Sequence, residues 1–289
     1  MGRRRDGVRV KNLDAIHHLM PHIKPNRCDS DVYINVKVDM TETVKYLENL
    51  RKKEEYKDIT YFHLMCTAIA KMVYNRPLLN RFIINKKFYD RNDVVISFVA
   101  KRELTDESEE SFTVINVKEK DNLFTIRDEI VNKVKKLREN DQLGIDDFMN
   151  FIGRGPKWLK TFFVGCLKFA DRHDWLPDSL TKDLLYYSTV IVSNLGSIGC
   201  NAAIYHNLTD FGTNSIMVMI GQVADTVTVE DGKPVVKKMC EFGINLDERI
   251  ADGFYFVKSL QLFEYLLQNP HLLEESADTI VEMPSKPKK

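Results

Sequence analysis

Residues 60–74 put the tightest limit on what this chain can fold into. After Thr60, the residues Phe62, Met65, Ile69, Met72 and Val73 recur at helical spacing. The run stops at Asn75-Arg76-Pro77, where the residue before proline is pushed out of helical geometry. A helix this apolar has to be covered on most sides. The remaining sequence must therefore supply a layer to pack against it.

That layer reads as strands. Residues 32–39, Val-Tyr-Ile-Asn-Val-Lys-Val-Asp, alternate with period two, and Thr41 is the expected N-cap of a helix to Arg51 with Val44, Leu47 and Leu50 on one face. Residues 81–84 lead through Asn85-Lys86-Lys87 to Phe88-Tyr89, and 94–102 with 112–118 form a hairpin pattern around an acidic, exposed loop at 105–110. A charged helix is expected over 125–139, with Ile126, Ile130, Val134 and Leu137 inside. The β-branched run 187–192 ends in Ser193-Asn194-Leu195-Gly196, and 215–221 is a second strand of buried type. Residues 223–229 and 235–244 flank the hairpin turn Glu230-Asp231-Gly232-Lys233, and 254–267 is a helix closed by Asn269-Pro270. No repeat or linker divides the chain, so the expected organisation is a basic tail at 1–7, one domain at 8–273 and a loose polar tail at 274–289.

Within that domain, 153–177 is a helical insertion. After Gly155-Pro156, Leu159, Phe162, Phe163, Cys166, Leu167 and Ala170 share one helical stripe, Lys157, Lys160 and Lys168 lie off it, and Val164 and Phe169 widen the apolar surface. Core packing, a lid over an acyl pocket, and a surface that docks on a membrane or a partner all fit this pattern. The lysines exclude a bilayer span.

Charge and cysteine usage narrow the function classes. Lys+Arg and Asp+Glu are equal at 42 each, so no global field draws the chain to nucleic acid or anionic membrane. Arg3, Arg4, Arg5, Arg9 and Lys11 at the start, and Lys286, Lys288 and Lys289 at the end, lack interleaved aromatics and read as solvated tails. The five cysteines contain no CxxC pair, which argues against zinc and for a reducing, cytoplasmic setting. No apolar segment follows the first arginines, and Asp6 stands where myristoylation needs Ser or Thr. His17, His18 and His22 can share a helical face, but no further metal ligands are placeable.

The segment Asn245-Leu246-Asp247-Glu248-Arg249-Ile250-Ala251-Asp252-Gly253 resembles the Asp-His-x-x-x-Asp-Gly signature of the CoA-dependent acyltransferases. That superfamily holds chloramphenicol acetyltransferase and the catalytic domain of the 2-oxo acid dehydrogenase acyltransferase subunits. The strand ending at Asp39, the exit Arg76-Pro77-Leu78-Leu79-Asn80 and the run Val190-Ile191-Val192-Ser193-Asn194-Leu195-Gly196 are similar to its other landmarks, in order, over residues 8–273. The resemblance implies an α/β fold, an α+β two-layer sandwich in which a chloramphenicol acetyltransferase-like mixed sheet is covered by helices.

The resemblance also implies a chemistry. In the family a histidine deprotonates a thiol or alcohol that attacks an acyl thioester, and here Glu248 stands in that place. Ser193 matches the hydroxyl that hydrogen-bonds the oxyanion. Asp252 matches the structural aspartate whose ion pair braces the turn, with Arg27 or Arg249 as partner. His206, between the flanking strands, is either a substitute imidazole or a packing residue. The implied substrate is coenzyme A as acyl-CoA, with no metal and no lipoyl domain in this chain. The implied assembly is a homotrimer in which base and hydroxyl meet across a subunit interface. Two readings stay open: an acyltransferase with Glu248 as an unconventional base, or a non-catalytic trimeric binding relative in which Glu248 is salt-bridged to Arg249 or Arg102.

Overall fold

The structure, a computed structural model, describes residues 4–101, 110–139, 153–201 and 204–284. Of the acidic loop expected at 105–110, only Glu110 is among them, and Arg102 is not. In chain order the main elements are β1 (Gly7–Arg9), α1 (Ala15–Ile23), β2 (Asp31–Asp39), α2 (Thr41–Leu50), α3 (Tyr61–Asn75), β3 (Arg81–Ile84) and β4 (Lys87–Arg91). There follow β5 (Val94–Lys101), β6 (Glu110–Val117), α4 (Leu123–Glu139), α5 (Lys157–Arg172), β7 (Val190–Asn194), β8 (Ile216–Ile220), β9 (Ala224–Glu230), β10 (Lys233–Asp247) and α6 (Gly253–Gln268).

Among the described residues the main sheet runs β2-β10-β8-β7-β5-β6, with β9 folded back on β10. β7 is parallel to both β5 and β8, and the other ladders are antiparallel. The sheet is therefore mixed, and the α/β reading of the sequence holds. A small sheet, β1-β4-β3, lies beside it. One face of the main sheet is apolar because side chains alternate along each strand: Val38, Phe242, Ile244 and Leu246 are buried there, and the Phe242 ring meets Phe263 of α6 edge-on at 5.1 Å. Helix α3 is buried over almost its whole length, from His63 to Val73, between that face and the neighbouring helices. The opposite alternation, Gly243, Asn245 and Asp247 of β10, points away from the helices.

Local differences have local causes. Helix α2 begins at Thr41 rather than being capped by it: Asp39 Oδ1 accepts from the Thr41 amide at 3.0 Å and from its hydroxyl at 2.6 Å. Thr60 does cap α3, and His63 answers it, its Nδ1 accepting from the Thr60 amide at 3.0 Å. The strand expected from residue 187 starts at Val190, because the Tyr186 carbonyl is taken by the amides of Thr213 and Asn214.

The basic start and the polar end are exposed or half-buried at most positions where they are described, but each is fastened to the body at particular residues. Arg4 is buried, donating to the Asp171 carbonyl at 2.8 Å and to Asp6 at 2.9 Å. Beyond residue 274, Ala277 is buried with its amide on the Asp121 carbonyl at 2.7 Å, and the Ser276 carbonyl accepts from Lys71 Nζ at 2.8 Å. Composition marks these segments as polar, but long-range partners fix them.

Candidate functional site

The turn after β10 is built around a buried ion pair. Asp247 and Arg249, 0% and 1% exposed, face each other two-pronged, Nε to Oδ1 at 2.8 Å and Nη2 to Oδ2 at 2.7 Å. Asp247 Oδ1 also accepts from the Arg249 amide at 3.1 Å, which closes the turn. The third arm of the guanidinium, Nη1, donates to the carbonyl of Lys24 at 2.7 Å, just past the end of α1. The ammonium of that same Lys24 pairs with Glu248.

Glu248 is therefore held on two sides. Its amide donates to the Ser30 carbonyl at 3.0 Å, and its carboxylate, 32% exposed, lies against Lys24. The salt bridge that the non-catalytic reading gives Glu248 is present with a different partner: it is Lys24, while Arg249 belongs to Asp247 and Arg102 lies outside the described residues.

Asp252 corrects the expected brace. Its carboxylate is exposed and caps α6, accepting from the Tyr255 amide at 2.7 Å, and no arginine pairs with it among the described residues. Arg27 is buried and spends its donors on the carbonyls of Ile83 and Gly212 at 3.2 and 3.0 Å and on that of Thr209. The charge that stabilises the turn is Asp247, five positions earlier, because it is the one that lies within the sheet.

Ser193 sits near the end of β7, partly exposed, and its hydroxyl has no hydrogen-bond partner among the described residues. The register fixes how far it is from Glu248. Ser193 pairs with Met219 on β8, and Met219 with Gly243 on β10. Glu248 lies five residues past that level and two strands over, which is roughly 16 Å along and 10 Å across, or about 19 Å in all. One chain does not bring the two together.

His206 lies in an exposed stretch of coil. Its neighbours fasten that coil to β2: the Tyr205 ring packs edge-on against Tyr33 at 5.5 Å, Tyr33 Oη donates to Asn207, and the Leu208 amide donates to Asp31 Oδ2 at 3.0 Å. Since Asp31 is paired with Asp247 in the ladder, the loop carrying His206 reaches the same end of the sheet as Glu248. Among the described residues no group of His, Cys, Asp and Glu has the arrangement of a metal site, and His17 Nδ1 instead meets Asp14 at 2.7 Å.

Asp31 is the residue that sequence reasoning missed. Its Oδ1 is buried without a partner, and burial pushes its carboxyl up to about 6 against the pull of the Leu208 amide. The only local signal was an acid at the start of an otherwise apolar-alternating strand. A raised folded value means the carboxyl opposes folding once it ionises, so stability is full below about pH 4 and falls as pH rises through 6. Asp31→Asn should therefore raise the unfolding free energy at pH 7 by roughly 1 kcal/mol after allowing for solvent screening. Denaturant melts at pH 4 and pH 7 check this: an equal gain at both would show that ionisation of Asp31 is not the cause.

Residues 177–274 match the sequence family described as 2-oxoacid dehydrogenases acyltransferase (catalytic domain). Comparison with curated protein sequences gives no match. Solved structures with the same fold include a probable dihydrolipoamide acetyltransferase from Listeria monocytogenes, 17% identical with a TM-score of 0.59 over 91% of this chain and 95% of that one. A dihydrolipoamide acetyltransferase from Azotobacter vinelandii aligns at 15% identity and a TM-score of 0.53, over 91% and 93% of the two chains. A chloramphenicol acetyltransferase aligns at 10% and 0.54, over 89% and 95%. The chain thus has the chloramphenicol acetyltransferase-like fold, and its C-terminal third is related in sequence to the acyltransferase catalytic domain of the 2-oxoacid dehydrogenases.

Proposed function

We propose that this chain is a cytoplasmic, homotrimeric protein of acyl-thioester chemistry, which takes an acyl group from coenzyme A with Glu248 in the seat of the usual histidine. The observation that carries the reading is that Ser193 lies one residue before the end of β7 and Glu248 directly follows β10 in a chloramphenicol acetyltransferase-like fold, within the segment related in sequence to acyltransferase catalytic domains. The catalytic mechanism of the Azotobacter enzyme was investigated through a serine, a histidine and an asparagine, the last two being four residues apart and the serine about fifty ahead. Glu248 and Asp252 have the same separation, with Ser193 at a like distance ahead.

The separation of Ser193 from Glu248 within one chain supports assembly. So does the surface around Glu248: Ile16, Leu19 and Ile23 of α1, which ends at Lys24, are 71%, 58% and 70% exposed, and Phe254 and Val257 at the start of α6 are 73% and 53% exposed. Apolar surface of this extent is commonly covered by another chain. A second copy seated there would dry the carboxylate and bring in its own Ser193.

In such a site Glu248 takes the proton of an acceptor thiol, or of water, and the resulting nucleophile attacks the thioester carbon. The oxyanion accepts a hydrogen bond from the Ser193 hydroxyl. Collapse breaks the carbon–sulfur bond, and the departing CoA thiolate recovers the proton from Glu248. A thiol is the easier acceptor, being more acidic than an alcohol.

The Lys24–Glu248 ion pair, and the lack of an arginine partner for Asp252 among the described residues, favour a second reading, a trimeric relative that binds without catalysis. Turnover of a panel of acyl-CoA thioesters, followed as free thiol, separates the two. Loss of rate in both Glu248→Gln and Ser193→Ala supports catalysis. Identical background rates in wild type and both variants would leave only the binding reading.

A further inference from the structure

Helix α5 carries three kinds of surface. Leu159, Phe163, Leu167 and Ala170, spaced three and four apart, turn partly buried sides toward the body of the protein. Its end is fixed by Asp171, which is buried, accepts from Tyr187 Oη at 2.8 Å and from the Gly212 amide at 3.1 Å, and lies 3.7 Å from Arg4. A second side, outward, holds Trp158, Phe162 and Phe169, 71%, 66% and 53% exposed, continued by Trp175 at 68%. Phe162, Gly165, Cys166, Phe169, Ala170 and Trp175 line an apolar recess of 460 Å³ on that side. The third side is basic, with Lys157, Lys160, Lys168 and Arg172.

The charge on this helix is anomalous for its chain. Four cations against the single acid Asp171 give +3, in a protein whose formal charge is zero. None of the four cations forms an ion pair among the described residues. The nearby acids that could have neutralised them are engaged elsewhere: Asp174 and Asp178 both pair with Arg5, at 3.3 and 2.9 Å.

We infer that α5 docks on the surface of an anionic lipid bilayer, lying along the interface with Trp158, Phe162, Phe169 and Trp175 sunk among the acyl chains nearest the headgroups. Two features select this occupant over a protein. Tryptophan and phenylalanine beside unpaired lysines match the two layers of a membrane interface, apolar chains below and anionic headgroups above. The recess beside the stripe, lined by Phe162, Cys166, Phe169 and Trp175, is also apolar, and the fluid end of an acyl chain fills it without the matched shape that a folded partner would need. At sixteen residues α5 is about 24 Å long, and no described helix is long and apolar enough to cross a membrane. The contact is therefore peripheral. It does not rest on the acyltransferase reading, since no residue of the Glu248 turn takes part.

The chain reports on this contact itself, because its only two tryptophans, Trp158 and Trp175, both lie on the stripe. The full chain is mixed with vesicles of phosphatidylglycerol and phosphatidylcholine, or of phosphatidylcholine alone, and followed by co-sedimentation and tryptophan emission. Binding to the anionic vesicles is expected, with a blue shift, quenching by lipids brominated on the acyl chain, and release by salt. Phe162→Asp with Phe169→Asp should abolish it, and Lys160→Glu with Lys168→Glu should weaken it at least about tenfold. These are exposed positions, and circular dichroism checks that the variants keep the fold. No sedimentation with anionic vesicles overturns the proposal, as does sedimentation that both double variants leave unchanged. A blue shift that grows with protein concentration in the absence of lipid assigns the stripe to a second copy and overturns it equally.

Discussion

Arg249→Met should lower the stability of the folded chain by about 3–5 kcal/mol, the range for removing one partner of a buried pair. The loss follows from what is left behind. Asp247 is fully buried in β10, and without the Arg249 guanidinium it loses its only direct ion pair among the described residues, leaving only the longer-range pull of Arg27, whose own donors are on carbonyls. The carbonyl of Lys24 loses its donor at the same time, so the end of α1 and the ammonium that faces Glu248 are released together. Asp247→Asn combined with Arg249→Met should recover much of the loss, because the amide carries no charge and can still accept from the residue 249 amide. Chemical denaturation of the wild type, the single variant and the double variant measures all three. A double variant as unstable as the single one would mean that turn geometry, not the orphaned charge, sets the cost. Asp252→Ala, by contrast, removes only a helix cap, worth about 1 kcal/mol.

The contrast between these two aspartates shows what a linear reading reaches. Elements with a strong period were legible: the alternation of residues 32–39 became β2, the apolar repeat after Thr60 became α3, and the Asp231-Gly232 turn joined β9 to β10. The turn between β10 and α6 lies where the resemblance of residues 245–253 puts it, while the role of Asp252 as the N-cap of α6 was not read from the sequence. Partners were not legible. Lys24 meets Glu248 across 224 positions, and the Leu208 amide reaches Asp31 across 177, distances over which neither periodicity nor propensity carries information. The same limit explains the ends of the chain, where Arg4 and Ala277 look like tail residues until Asp171 and Asp121 are brought to them. It holds for α5 too, whose one apolar stripe in the sequence divides in the fold into a partly covered side, Leu159, Phe163, Leu167 and Ala170, and an exposed one with Phe162 and Cys166.

Mixing two inactive variants should restore activity. If Glu248 and Ser193 act together, Ser193→Ala and Glu248→Gln each lose about a hundredfold or more in turnover. The ladder from β7 through β8 to β10 holds the backbones of the two residues about 19 Å apart in one chain, too far for a proton acceptor and an oxyanion donor to serve one thioester. Each working site then needs Glu248 from one copy and Ser193 from the next. When the two variants are unfolded together and reassembled at equal amounts, a site that joins the Glu248 of a Ser193→Ala chain to the Ser193 of a Glu248→Gln chain is wholly intact. Random assembly makes about a quarter of the sites so, and activity should return to about a quarter of the wild-type level. Reassembling each variant alone should give no recovery, which controls for the treatment. A mixture as inactive as its components would place both residues in the same site of the same chain, or outside any site, and the ladder register would then have no catalytic meaning.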